Sequence, residues 1–177
     1  VAVRRCPAVT AELLKQLDFT KPKEPEPGGD LRKLLIDWLE YQRIEFRRKL
    51  RDLSPEGLAA WSVPPMKLSV LGLVRHMSQM EHGYLAWGLG GGDRLELYGD
   101  DDYAGGSVDT IDADLEIYLE QVERADRAIA RLPSLDTKGL GHGRPLGATL
   151  IKMIDEYALH AGQAHMLRFA ALGEIIR

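Results

Sequence analysis

A chain of 177 residues, 45% hydrophobic and 28% charged, has the size and composition of one globular domain able to bury its own core. Its net charge of −4 offers no basic surface for nucleic acid or anionic membrane, and no run approaches the ~18–20 apolar residues of a membrane span. Cys6 is the only cysteine, which rules out an intrachain disulfide and suits a reducing compartment.

Val1 to Pro7 carries two arginines with no apolar run behind them, so no secretory signal is expected and the reading is cytoplasmic. Residues 1–29 read as a tail and linker. Ala11 to Leu17 can make a short helix, but three prolines and two glycines between Lys21 and Gly29 describe extended chain. Cys6 has only Arg4 and Arg5 near it and reads as structurally unimportant. Residues 30–177 read as the folded domain.

Asp30 is a natural N-cap for a helix over about 31–51, with an apolar stripe of Leu31, Leu34, Leu35, Trp38, Tyr41 and Leu50 and with Ile44 and Phe46 beside it. Pro55, Gly57 and the pair Pro64-Pro65 interrupt the chain. Ser69 caps a second helix over about 69–88, striped by Leu73, Met77, Met80, Tyr84 and Trp87. A long loop rich in Gly and Asp follows, over 88–108. The third helix is the most regular: Ile111, Leu115, Tyr118, Val122, Ala125, Ile129 and Leu132 alternate steps of four and three until Pro133. The fourth runs from about Gly147 to Leu172, with Leu150, Met153, Ile154, Tyr157, Ala161, Ala164 and Leu167 inward and Gly173 as terminator. Strand signals are nearly absent. The pattern predicts an all-α fold, a four-helix bundle.

The informative residues break the apolar pattern. His76 falls on or beside the buried stripe of the second helix, where a lone histidine is usually a satisfied core residue. Glu156 and His160, four apart on the fourth helix, stack on one face. Their neighbours Met153 and Ala164 are apolar, and a carboxylate is seldom buried without a partner. By itself this pair is also readable as a surface hydrogen bond. Taken together, the three residues supply two imidazole nitrogens and one carboxylate from facing helices. That set suits Zn²⁺ first, with Ni²⁺ or Fe²⁺ as alternatives, and three protein ligands leave open positions for chemistry.

Other polar residues read as bland. His82 is six residues from His76, more than about 100° round the helix, and is expected in solvent. His165 reads as surface or interface, and His142 as an ordinary loop residue. Asp100-Asp101-Asp102 lacks the alternating ligands and closing Glu of a calcium loop and reads as a solvated loop able to cover the mouth of the bundle. No phosphate loop, dinucleotide fingerprint or nucleophile elbow is present.

The run Leu73-Val74-Arg75-His76-Met77, followed far downstream by Met153-Ile154-Asp155-Glu156-Tyr157-Ala158-Leu159-His160-Ala161-Gly162-Gln163, resembles the DinB/YfiT-like superfamily over roughly residues 30–175. The resemblance takes in Trp38-Leu39 and the Asp100-Asp101-Asp102-Tyr103 loop. It implies an up-down-down-up four-helix bundle with a three-residue metal site, here His76, Glu156 and His160, and pairing of copies through a helix face. Glu156 in the middle position is similar to the mycothiol-dependent maleylpyruvate isomerase branch and to an uncharacterised branch near it. Those relatives imply metal-assisted chemistry with a low-molecular-weight thiol, mycothiol or bacillithiol, as cosubstrate and a small electrophile as substrate. The chain departs from the pattern at Ala161, where an Arg is usual, and at Gln163 and His165, where the uncharacterised branch carries a His and an acid. A metal-dependent thiol S-transferase or isomerase is therefore the leading reading. A non-catalytic metal- or ligand-binding stress-response bundle is the alternative, and a metal-free interaction module is third.

Overall fold

The computed structural model describes residues 12–173, so Cys6 lies outside the described residues. The fold is all-α, with no strand among the described residues. Its helices are α1 (Glu12–Gln16), α2 (Leu31–Arg47), α3 (Pro55–Ala59), α4 (Val70–Met80), α5 (Trp87–Gly90), α6 (Ile111–Arg131) and α7 (Leu146–Leu172). A π-helical turn, Glu81–Ala86, joins α4 to α5 without a break.

The helix ends follow from local chemistry. Asp30 caps α2 by accepting from the amides of Arg32 and Lys33. Ser69 does the same for α4 through Gly72 N, at 2.9 Å. Gly173 closes α7 in the left-handed region, at φ 66°, where a side chain would be strained. Leu13, Leu14, Leu17 and Phe19 pack against the core, and the amides of Glu12 and Leu13 donate to Asp112 of α6.

In the core α2 packs mainly on α7, and α6 packs on α4 and the π turn. Every residue of the α6 stripe expected from the sequence is buried. On α7 all are buried except Ile154, which is partly so. The α2 stripe needs correction. Leu31 is exposed, and the buried face is Leu39, Arg43 and Phe46, continued by Leu50. An arginine inside the helical core rotates that face away from the one that apolar residues alone suggest.

Arg43 turns inward because Glu81 is there. Its Nε and Nη2 each donate to one oxygen of the Glu81 carboxylate at 2.8 Å, and its Nη1 reaches Asp126 at 2.7 Å. Tyr157 donates its hydroxyl to Glu81 at 2.7 Å, and Tyr118 lies 3.1 Å from Tyr157. Glu81 is fully enclosed, at 0% exposure, so bidentate pairing with Arg43 replaces the water it has lost.

The second helix also differs from the expected continuous 69–88 segment. The wider π turn shifts the register after Met80, and both Glu81 and His82 face inward. His82 is therefore corrected from solvent to core. Its Nδ1 donates to Gln121 at 3.0 Å, and its Nε2 accepts the amide of Leu95 at 2.8 Å, pinning the following loop to the bundle. His142, on the loop before α7, donates Nε2–H to the Tyr84 carbonyl at 2.9 Å. A Cβ at Gly88 would stand 2.3 Å from the His142 ring, so glycine is what admits that loop.

Removing one partner of the buried pair leaves a charge without compensation. Glu81→Ala is expected to lower stability by about 3–5 kcal/mol, while Glu81→Leu combined with Arg43→Met loses far less, as urea unfolding curves will read. Burial, the largest influence, holds His82 below its ordinary pKa of 6.5, against the opposing bond to Gln121. The unfolded chain then binds a proton that the folded chain refuses, so stability is complete above about pH 6.5 and falls as the pH drops below it. Calorimetric melting temperatures from neutrality down to about pH 5.5 are expected to decline, and less steeply in His82→Asn.

Candidate metal centre

His76 lies on α4, and Glu156 and His160 on α7. The two helices pack so that one ligand atom from each of the three residues lies within 4.8 Å of the other two. The two imidazole rings meet edge to face, with centroids 4.7 Å apart. His160 is buried, and His76 and Glu156 are partly so. A tetrahedral ion with bonds of 2.0–2.1 Å spaces its donors at about 3.3 Å, so small side-chain adjustments would close this set.

Each histidine has its outer nitrogen fixed. His76 Nδ1 donates to Asp102 Oδ2 at 2.8 Å, and His160 Nδ1 to Gln163 Oε1 at 2.8 Å. Both rings therefore turn Nε2 inward, held from outside as a metal-binding histidine is. His160 Nε2 stands 3.2 Å from Glu156 Oε2. A lone pair facing a carboxylate oxygen is favourable only with a proton or a cation between them, so this donor set fits a divalent ion.

The protonation states agree. Burial, the largest influence, pulls His76 below its usual pKa, which the hydrogen bond to Asp102 only partly opposes. Burial pushes Glu156 up, but the hydrogen bond and charge of Lys152, 2.5 Å away, together with His160, bring it below the ordinary carboxylate range. At neutral pH His76 is thus neutral and Glu156 ionised.

A loop completes the wall. Tyr103 stacks on the His76 ring at 4.3 Å and 18°. Burial, helped by the negative charges of Asp102 and Glu156, pushes its phenol up to about 12, so it keeps its proton. Arg75, next to His76 in sequence and almost buried, holds this loop down. It donates to the carbonyls of Asp101 and Asp102, reaches Asp114 at 3.1 Å and stacks over Tyr98. Gly72 lets the loop come this close, since a Cβ there would lie 2.0 Å from the Tyr103 carbonyl. The acidic run is therefore not a wholly solvated loop. Asp100 and Asp101 are exposed, while Asp102 is half-buried against His76.

The structure brings together His76, Glu156 and His160 and leaves the other histidines apart. His82 and His142 serve packing and capping, and His165 is exposed and lies edge-on to Phe169. Sequence reasoning missed Asp102, Gln163, Lys152 and Tyr103 as neighbours of the three donors. Gln163 and Lys152 sit at +3 and −4 from ligand candidates on one helix and were in principle legible from spacing. Asp102 required knowledge of the loop.

No described helix is long and apolar enough to cross a membrane. Searches of curated proteins and of solved structures return no significant match. The profile of the family described as Mycothiol-S-transferase matches residues 34–173, a span that starts in α2, ends at the α7 cap and includes all three donors. The chain belongs to the mycothiol-S-transferase family, a DinB-like family.

Proposed function

We propose that this protein is a metal-dependent S-transferase, or a related isomerase, that joins a low-molecular-weight thiol to a small electrophile. Mycothiol is the first choice of thiol, given the family, and bacillithiol the alternative. The observation that carries the reading is the meeting of His76, Glu156 and His160, with Asp102 and Gln163 turning Nε2 of both imidazoles inward. In this reading the domain is an up-down-down-up bundle, and His76, Glu156 and His160 would hold Zn²⁺, or else Ni²⁺ or Fe²⁺. A divalent ion there supplies Lewis acidity that makes a coordinated thiol acidic enough to ionise near neutral pH.

The chain's own residues do the rest. Glu156 would contribute the one negative charge of the ligand set, and Lys152 holds that carboxylate ionised from 2.5 Å away. Asp102 and Gln163 hold the tautomers. Tyr103 and the loop gripped by Arg75 shield one side from water, which strengthens electrostatics inside. The thiol gives its proton to solvent, its sulfur forms a bond to the electrophilic carbon, and the leaving group departs with the electron pair. In the isomerase version the sulfur adds, the carbon–carbon bond rotates, and elimination returns the thiol.

Protein purified without chelator or affinity metal is expected to carry about one Zn, Ni or Fe per chain by elemental analysis, lost in His76→Ala and in Glu156→Ala. A wild-type protein that stays metal-free after incubation with Zn²⁺ and Ni²⁺ would sink the reading. Asp102→Ala leaves all three ligands in place but frees the His76 ring. Its metal affinity, measured by competition with a chromophoric chelator, is expected to fall about 10- to 100-fold.

A further inference from the structure

A cavity of about 410 Å³ lies alongside the second helix, lined among others by Gln79, Met80, Tyr84, Trp87, Arg94 and Arg144. Met80 is four residues beyond His76 on the same helical face, so the near edge of the cavity is about 6 Å along the axis from that candidate ligand. Tyr84 interacts electrostatically with Lys152, which pairs with Glu156.

The lining has a distinct chemistry. Arg94 lies over the Trp87 ring at 5.2 Å and Arg144 over the Tyr84 ring at 5.7 Å. Stacking uses the flat face of a guanidinium and leaves its N–H edge free to take a planar oxyanion. Among the described residues neither arginine has a carboxylate partner. Glu96 lines a neighbouring cavity that shares Gln79 and Arg94, yet it forms no ion pair with Arg94. Gln79 has its carbonyl oxygen engaged by Leu97 N, leaving its amide N–H₂ to donate. His142 is spent on structure, giving Nε2–H to Tyr84 O and accepting Arg144 N at Nδ1, so it places Arg144 rather than binding. Gly83 faces open space where a side chain would narrow the entrance.

Two cations without carboxylate partners, two aromatic rings and one amide donor at the edge of a cavity describe a receptor for a flat anion. We infer that this cavity binds the electrophilic substrate, and that it selects one joining a planar unsaturated or aromatic body to a carboxylate. The carboxylate lies on the guanidinium edges of Arg94 and Arg144, and the planar body runs past the edge of the Tyr84 ring toward Met80, pointing the reactive carbon along the helix toward His76. The role as substrate subsite rests on the metal-dependent reading above; binding of the anion does not.

Benzoate is the probe, compared by isothermal titration with benzamide, which has the ring without the charge, and acetate, which has the charge without the ring. Benzoate is expected to bind at least about tenfold more tightly than either. Because both arginines are exposed and partly screened, Arg94→Gln and Arg144→Gln are each expected to weaken it about three- to tenfold, without changing metal content. Binding that persists in His76→Ala, where metal is lost, assigns the carboxylate to the arginines. Benzoate that fails to bind the wild type, binds no better than benzamide, or is lost in His76→Ala but kept in both arginine variants overturns the inference. Metal content on the same samples separates that failure from failure of the metal reading.

Discussion

A carboxylate taken entirely out of water must be met by a cation and by hydrogen bonds in good geometry, and those requirements fix whatever carries them. Glu81 sets this requirement at the start of the π turn. Arg43 meets it from α2, and Tyr157 from α7. Three helices are thereby locked in rotation and in height, because slipping either charged partner by a turn would strand a buried charge and slipping α7 would take the Tyr157 hydroxyl from it. Glu156 precedes Tyr157 and His160 follows it by three, so the lock on Tyr157 also sets where the candidate ligands point. Edge-to-face packing of Phe46 on Tyr157 adds an apolar contact to the same junction. The π turn that brings Glu81 inward also sets how Tyr84 and Trp87 are presented to the cavity.

Above that rigid junction the site depends on a loop, held by a different device. Arg75 donates to two loop carbonyls and one carboxylate, pairing the Asp102 carbonyl and adding a second donor to that of Asp101, which also takes the Gly105 amide. Gly72 supplies the absent side chain that lets the loop touch α4. The adjacent residues Arg75 and His76 thus divide the work: one anchors the loop, and the other receives Asp102 from it. With Asp102 on His76 and Gln163 on His160, one imidazole is oriented by a loop carboxylate and the other by its own helix.

Much of this was legible in the sequence. The α6 stripe, the caps at Asp30 and Ser69 and the terminator Gly173 are local signals, and local physics decides them. His76, Glu156 and His160 were legible because polar residues on an apolar face require a reason. The buried face of α2 was misread, since periodicity treats every arginine as outward and only Glu81, 38 residues away, explains Arg43. His82 was misplaced because constant helical geometry was extended through a π turn. The loop partners Asp102 and Tyr103 depend on Gly72 and Arg75 acting together at long range, which no periodicity records.

The two chemical regions along the second helix carry opposite signs, and their spacing lets both persist. Asp102 and Glu156, the latter partly offset by Lys152, make the His76 end attractive to a cation, while Arg94 and Arg144 make the far end attractive to an anion. Tyr84 lies eight residues past His76, roughly 12 Å of helix rise, which is longer than the Debye length of about 8 Å at physiological salt. Screening therefore keeps the two potentials from cancelling across solvent. A net charge of −4 spread over the whole surface does not erase a local positive groove for the same reason. A substrate carrying its charge at one end and its reactive carbon at the other is then oriented by contact with the arginines, not by a field reaching across from the His76 end.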